Sequence, residues 1–548
     1  MPSRRDFLAS ASRAAIGAGM VGRGLLRPSL LHAIPMHAKQ PLASFGPDLV
    51  DADALRKFAT VAMDAATKAG ADFADIRIGM RRVFQMYLMD AVHPAGYMAF
   101  DYSYGIRAKI GGSWAFVAGA EPSVDGLTRA ANAAVSTARG LQKLGKTPLE
   151  FVKMPPAKGE WRAEVPIDPF SVSPDDHAML LMAFSKIGER VMTTNTGASW
   201  MWGAETRVFA SSDGALVTQH LAESQPWVTA SSGRFGEGRV ELAVTDFFPR
   251  TAGFEVIVGD ALQDRVRARA EEVRRLMSYP RGTAEIGRYD AVFDGRSVAA
   301  VLGSTLLPAL ELARVLNEEA DGAGTTYLAP ASDVLGKQLF SPALNVTTDR
   351  TMPHLGAAKW DDEGVEIHPH PVVERGTVVD YFGTRANLGA LSDWYASRGQ
   401  PLAAHGTAVA WNVMRAPVGA PTAVTVAPNV NGGASVEEMA KQIRNGLIVR
   451  TVWGMETDQQ LMGGLCQPEL LFEVKRGAIT RRLEGAVLPI SSKLIWRDLK
   501  QLGNASTMEY AVSKQYGGAP WAEKQAAVHA PAGLFSNVDV TLLPREQI

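Results

Sequence analysis

From Gly287 onward the chain alternates short runs of β-branched and apolar residues with breaks that carry glycine, and this pattern limits its fold more than any other feature. Asp290–Phe293, Leu344–Thr348, Thr377–Phe382, Thr422–Ala427, Leu447–Thr451, Leu470–Lys475, Ala478–Arg482 and Val538–Leu543 each read as a strand. Arg476-Gly477 makes a tight link between two of them. Helical signals are sparse. Ser435–Gly446 reads as a helix, with Ser435 as its cap, Glu437 and Glu438 in its first turn and Gly446 at its end. Many short strands with few helices predict a large, mostly antiparallel sheet or partial barrel over residues 287–548.

Residues 49–250 read differently. Asp51–Ala69 repeats apolar residues at helical spacing and stops at Gly70. Ala74–Ile78 and Val83–Met89 read as strands, and Tyr104–Lys109 with Ser113–Val117 as a hairpin across Gly111-Gly112. Ser123 caps a helix running through Ala138, with Asp125 in its first turn. Arg207–Ala210 and Ala215–His220 flank a second turn, Ser211-Ser212-Asp213-Gly214, and Arg239–Asp246 adds a strand. Helices interleaved with antiparallel hairpins define an α+β domain. Residues 251–286 form a connector around the charged helix Ala261–Met277, whose alternating charges read as a solvated face. The fold class of the whole is α+β.

The first 42 residues belong to export rather than to folding. Arg4-Arg5-Asp6-Phe7-Leu8 resembles the twin-arginine signal, an address read by a receptor. The Ala/Gly-rich stretch behind it is interrupted by Arg13 and Arg23, too polar for a comfortable span. No later run reaches the roughly 18–20 apolar residues of a membrane helix, so the mature form is expected to be soluble. A formal net charge of -1 on 548 residues gives no bulk attraction to nucleic acid. The one cysteine, Cys466, excludes an internal disulfide and any cysteine cluster for zinc.

Three places in the sequence carry side chains suited to chemistry. Leu306–Gly322 has helical periodicity and four carboxylates, Glu311, Glu318, Glu319 and Asp321, but no histidine; it reads as a plain buried helix. His368-Pro369-His370 is the densest histidine group, with Asp361 and Glu363 close enough in sequence to complete four ligands; its prolines equally mark an exposed loop. His354, His405 and His529 stand alone and read as structural or surface residues. No nucleophile elbow, glycine-rich phosphate loop or dinucleotide fingerprint is present.

Several fragments resemble the TldD/PmbA family, also called the TldD/TldE proteins. They are Gly70-Ala71-Asp72-Phe73-Ala74-Asp75-Ile76-Arg77, then Gly105-Ile106-Arg107 with Gly112-Ser113-Trp114-Ala115-Phe116, in which Ala115 replaces a family glycine. In the second half they are Asp361-Asp362-Glu363-Gly364-Val365, the Gly433–Gly446 helix and Leu483-Glu484-Gly485. The order and spacing of these fragments cover nearly all of the chain beyond the leader.

The resemblance implies a zinc metallopeptidase whose catalytic member carries His-Glu-x-x-x-His and a late Cys, paired with a homologue that lacks them. Laid on this chain, the two histidines fall at Pro308 and Ala313, the general base at Ala309, and the cysteine near Tyr516-Gly517-Gly518. Pro308, Ala309 and Ala313 offer no metal donor or base, and no cysteine stands near 516–518, so the 306–319 segment reads as a degenerate zinc helix. The resemblance thus implies a non-catalytic subunit without a cofactor of its own, zinc being expected only in a catalytic partner. A heterodimer with a TldD-like homologue, or otherwise a homodimer, would enclose extended peptides. Asp361, Asp362 and Glu363 are the expected substrate-facing residues, with the loop at His368 and His370; the plainer reading has Asp362 and Glu363 holding a turn before Gly364. Two alternatives remain: a self-contained binding or assembly factor, and a hydrolase with metal ligands relocated to His368, His370, Asp361 and Glu363.

Overall fold

The structure, a computed structural model, describes residues 32–33, 40–45, 50–89, 93–144, 151–190, 195–232, 243–258, 260–430, 432–517 and 522–542. The twin-arginine segment, the start of the expected strand Arg239–Asp246 and Gly518 lie outside them. Among the described residues no helix is long and apolar enough to cross a membrane.

The first half is built on two long hairpins. Phe73–Met89 pairs antiparallel with His93–Ile110 on one side and with Asn195–Ser211 on the other, and Asn195–Ser211 pairs in turn with Leu216–Ser231. Sequence suggested two strands where there is one, because Arg81 and Arg82 interrupt the apolar run. Alternation nevertheless continues through them: Ile76, Ile78, Met80, Phe84 and Met86 are all buried. Helices Ala52–Lys68 and Val124–Gln142, capped by Asp51 and Ser123 as their sequences require, cover one end of this apolar face. Helix Pro174–Arg190 covers the other end. Strands of about 17 residues far exceed the usual length, and two separate helical layers supply the burial they need.

His177, on that second helix, is wholly buried. Trp200 Nε1 donates to its Nδ1 at 3.1 Å, so the proton sits on Nε2, which donates to the Pro169 carbonyl at 3.2 Å. Burial pushes its pKa down to about 4. The unfolded imidazole titrates near 6.5, so the stability of the neutral ring is complete above that pH and is lost as pH falls towards 4, by roughly 3 kcal/mol. Thermal unfolding at pH 7, 5.5 and 4.5 should show a steeper fall for the native chain than for His177→Gln, which keeps an acceptor and a donor without titrating. Parallel curves would show that the ring is already charged when folded.

Helix Asp260–Met277 is not simply solvated. Leu262, Val266, Ala270, Val273 and Leu276 form a buried stripe, and the last three join a cluster with residues of both halves, including Ala230, Val244, Val292 and Phe472. Its charges still make short-range pairs, Arg267 to Asp264 at 3.1 Å and Arg269 to Glu272 at 2.6 Å.

The second half contains the expected partial barrel. Asn445–Thr457, Gly287–Phe293, Gly533–Leu542, Ala486–Ser491 and Gly463–Lys475 pair in that order, and the last returns to pair with the first. All pairings in this ring are antiparallel except Gly287–Phe293 with Asn445–Thr457. A six-stranded sheet stands beside it and includes Val346–Thr348, His370–Glu374, Ala423–Val426, Glu509–Gly517 and Ala522–Ala530. Helix Gly295–Thr305 lies between the ring and this sheet, with every residue buried. Two expected elements are shorter: the Ser435 capping box forms with Glu438, but its helix ends at Lys441, because Gly446 is taken into a strand opposite Val474. Only Thr377–Val378 of Thr377–Phe382 is a strand.

Candidate functional site

The strands of the first sheet that bury Ile76, Ile106 and Val208 on one face carry Asp75, Arg77, Arg107, Glu205 and Arg207 on the other. Read alone, such a face belongs in water. Here it is pressed against the second half. Gly105 allows the approach, since a Cβ there would stand 2.1 Å from the Val413 carbonyl oxygen.

The turn Asp361-Asp362-Glu363-Gly364 enters this interface. Gly364 adopts φ +74°, and a Cβ on it would stand 2.5 Å from the Phe209 ring. All three carboxylates are buried and engaged. Asp362 takes Arg207 Nη1 at 2.6 Å on one oxygen and the Ala410 N–H at 2.7 Å on the other. Glu363 lies 2.8 Å from Arg107 Nη2 and accepts the Arg385 N–H at 2.6 Å. Asp361 accepts the N–H groups of Glu363, Val365 and Ala408 and no cation; burial, helped by Glu363, raises its pKa to about 7. Deeper still, Asp75 bridges Arg77 Nη1 at 2.9 Å and Arg107 Nη2 at 2.5 Å. Burial alone would raise the Asp75 pKa, but Arg107 and then Arg77 hold it below the usual carboxylate value. The acidic turn therefore clamps the two halves together, and of its three carboxylates Asp362 alone reaches a cavity wall.

That cavity, of about 110 Å³, lies between the halves. The first sheet supplies Arg81, Glu205, Arg207, Leu221 and Glu223; the second half supplies Arg350, Leu355, Gly356, Val409, Trp411 and Thr422. Sequence reading singled out none of these residues. The available signal was charge of both signs at alternate positions of a strand, which also describes an ordinary wet face.

The segment where the family resemblance would place zinc differs from the expected helix. No helix spans 306–319: Gly295–Thr305 ends before it, Pro308–Leu310 is a 3-10 turn, Glu311 is extended and Leu312–Val315 is one short helical turn. Pro308 has no N–H to give the preceding turn. Glu311 is extended because its neighbours bond Phe382, Phe382 N–H to Leu310 O at 2.8 Å and Leu312 N–H to Phe382 O at 2.9 Å. Zinc does not fit here. Pro308, Ala309 and Ala313 are buried and carry no donor atom, and the nearest carboxylate, Glu311, is held by Lys524 Nζ at 2.6 Å and Arg314 Nε at 3.3 Å. Of the other carboxylates in this segment, Glu318 accepts the Asn387 side-chain amide at 3.1 Å.

Nor are the relocated ligands brought together. His368 is exposed while His370 is buried, and Asp361 and Glu363 belong to the arginine clamp. His370 instead meets Asp380 and His405, so His405 is not a lone residue; their ligand atoms lie within 4.8 Å. His370 Nε2 is 3.3 Å from Asp380 Oδ2, Tyr395 donates its hydroxyl to that carboxylate, and His405 Nε2 meets the same hydroxyl at 2.8 Å. The imidazoles stack 4.1 Å apart and within 8° of parallel. Their in-plane lone pairs thus run side by side instead of converging on one ion. Burial, then His370, depresses the His405 pKa to about 4. His354 and His529 likewise share Tyr510, which stacks on His529 at 4.0 Å and meets His354 Nδ1 at 3.0 Å. Among the described residues, His370, Asp380 and His405 form the one grouping of this kind, and no complete zinc site is present.

Comparison with known proteins agrees with this architecture. Residues 286–542 match the PmbA/TldA metallopeptidase C-terminal domain. A metalloprotease of Methanocaldococcus jannaschii is 21% identical over 452 residues, 82% of this chain and 92% of its own length. TldE of Thermococcus kodakarensis superposes with a TM-score of 0.65 at 16% identity, over 90% of this chain and 100% of that one. A putative modulator of DNA gyrase from Bacteroides thetaiotaomicron gives 0.64 at 15% identity, over 90% and 99%. The chain has the TldD/PmbA-type fold, and its second half is homologous to the C-terminal domain of that family.

Proposed function

We propose that this chain is a non-catalytic member of the TldD/PmbA family, similar to TldE, exported by the twin-arginine route. It pairs with a zinc-bearing TldD-like homologue and helps to enclose extended peptides. One observation carries the reading: at the family's metal position the chain has closed its core, with Pro308, Ala309 and Ala313 buried and Glu311 neutralised by Lys524. Exposed Met462, Leu465 and Leu494, on and beside the strand Gly463–Lys475 and the helix Ser492–Arg497, suit a subunit contact, for which an obligate pair needs roughly 2,000 Å² or more. A cavity completed within one chain favours a second reading, a self-contained binding factor.

One experiment separates these. Tagged chain recovered from the exported fraction should bring with it a homologue carrying His-Glu-x-x-x-His. Chelator-sensitive peptide cleavage should appear only with both chains present, and the homogeneous chain should contain no stoichiometric zinc. Arg4→Lys with Arg5→Lys should keep the precursor in the cytoplasm, because Lys lacks the guanidinium fork. Cleavage by the homogeneous chain would end the non-catalytic reading, and recovery without any homologue would favour the self-contained one.

A further inference from the structure

We propose that the cavity at the domain junction binds a carboxylate carried on a compact apolar body, with Arg350 and Thr422 as its polar contacts. Six charged side chains line the cavity, and five of them are already paired. Arg81 meets Glu223, and Arg207 meets both Glu205 and Asp362. Arg350 is the exception. It is 8% exposed, its Nε donates to the Gly356 carbonyl at 2.8 Å, and Nη1 has no partner. Among the described residues no carboxylate reaches it within ion-pair distance; Asp362 and Asp361 favour its charge from further away while Arg207 opposes it. A buried guanidinium without a contacting anion is costly, and an anion brought in from outside would relieve that cost.

Thr422 adds a second polar atom in need of a partner. It is 7% exposed, lines the same cavity, and its Oγ1 has none. Its Cγ2 would lie 2.9 Å from a Cβ built on Gly356, the residue that fixes Arg350, so the two groups adjoin. A guanidinium with Nε occupied keeps its terminal nitrogens for a carboxylate, and a hydroxyl alongside can donate a further bond. Apart from Gln525 and the paired charges, the remaining walls are apolar: Leu221, Ala222, Leu355, Val409, Ala410 and Trp411. A volume of about 110 Å³ is small beside drug-sized sites of roughly 300–1,000 Å³ and suits a body about the size of one residue. A free short acid and the C-terminal residue of a peptide share this chemistry; only the peptide source rests on the function proposed above.

Calorimetric titration of the full mature chain tests the site. N-acetyl-leucine is compared with N-acetyl-leucinamide, a pentapeptide ending in leucine is compared with its C-terminal amide, and inorganic phosphate serves as a control. Either acid should bind about tenfold or more tightly than its amide, the loss expected for charge-assisted hydrogen bonds. Arg350→Gln should erase that preference. Arg350→Lys should keep part of it, and Thr422→Val should weaken acid binding several-fold. Binding of the peptide acid alone would assign the source as a peptide, and binding of both acids would establish the shared carboxylate. Equal affinity for acid and amide, no binding of either acid, or phosphate binding as tightly as the acids would overturn the proposal. Should Arg350→Gln fail to fold, the acid and amide pairs on the native chain and Thr422→Val still decide. Chelator-sensitive cleavage by the chain alone would refute the non-catalytic reading without touching this result.

Discussion

Replacing Asp75 with Ala should lower the free energy of unfolding by on the order of 3–5 kcal/mol, the cost of leaving buried cations without their anion. The side chain is fully buried and is the shared anion of Arg77 and Arg107. Its removal leaves Arg77, itself 0% exposed, with only the Asp362 and Gly105 carbonyls, and leaves Arg107 dependent on Glu363. Neither cation can recover its hydration without parting the first sheet from the acidic turn. Asp75→Asn should cost less, because an amide oxygen still accepts. Denaturant unfolding measures both. A loss below about 1 kcal/mol would show that water already reaches these arginines and that the two halves separate easily in solution.

Leu310→Asp should be at least as damaging, by about 5 kcal/mol or more, combining a core truncation of roughly 2–5 kcal/mol with an unpaired buried carboxylate. Leu310 is fully buried in the largest apolar cluster, among Leu306, Leu312, Tyr381 and Phe382, and its backbone bonds Phe382. Lys524, beside the adjacent Glu311, is committed to that carboxylate, so the new charge would have to compete for it. A mild shift in melting temperature, with the fold retained, would mean that the segment faces a water-filled chamber.

Much of the architecture follows from local rules. Asp51, Ser123 and Ser435 cap helices where short polar side chains precede apolar periodicity, and Gly111-Gly112 and Arg476-Gly477 turn hairpins. These features act over a few residues, so composition and spacing report them faithfully. The absence of donors at Pro308, Ala309 and Ala313 was equally legible, since it depends on residue identity alone. What surrounds these positions was not. Glu311 finds Lys524 213 residues later, and nothing near either residue announces the pair.

The grouping of the histidines failed for the same reason. His370 and His405 stand apart in sequence, yet the hairpin ending near Asp380 and the short helix bearing Tyr395 bring them into one stack. His368, two residues from His370, has the parity that would share its face in a strand, but it precedes the strand His370–Glu374 and lies exposed in the loop before it.

By itself, then, the sequence determined the α+β class, most strand and helix positions, and the lack of donor atoms at Pro308, Ala309 and Ala313, because each depends on side-chain chemistry and short-range periodicity. Only the tertiary structure decided that Asp75, Arg77, Arg107 and Arg207 are buried, that Asp362 and Glu363 clamp two halves, and that Arg350 is left without an anion beside a cavity. A polar face has the same alternation whether water or another sheet covers it. The covering surface comes from residues hundreds of positions away, so burial and pairing are settled only when the second half packs against the first.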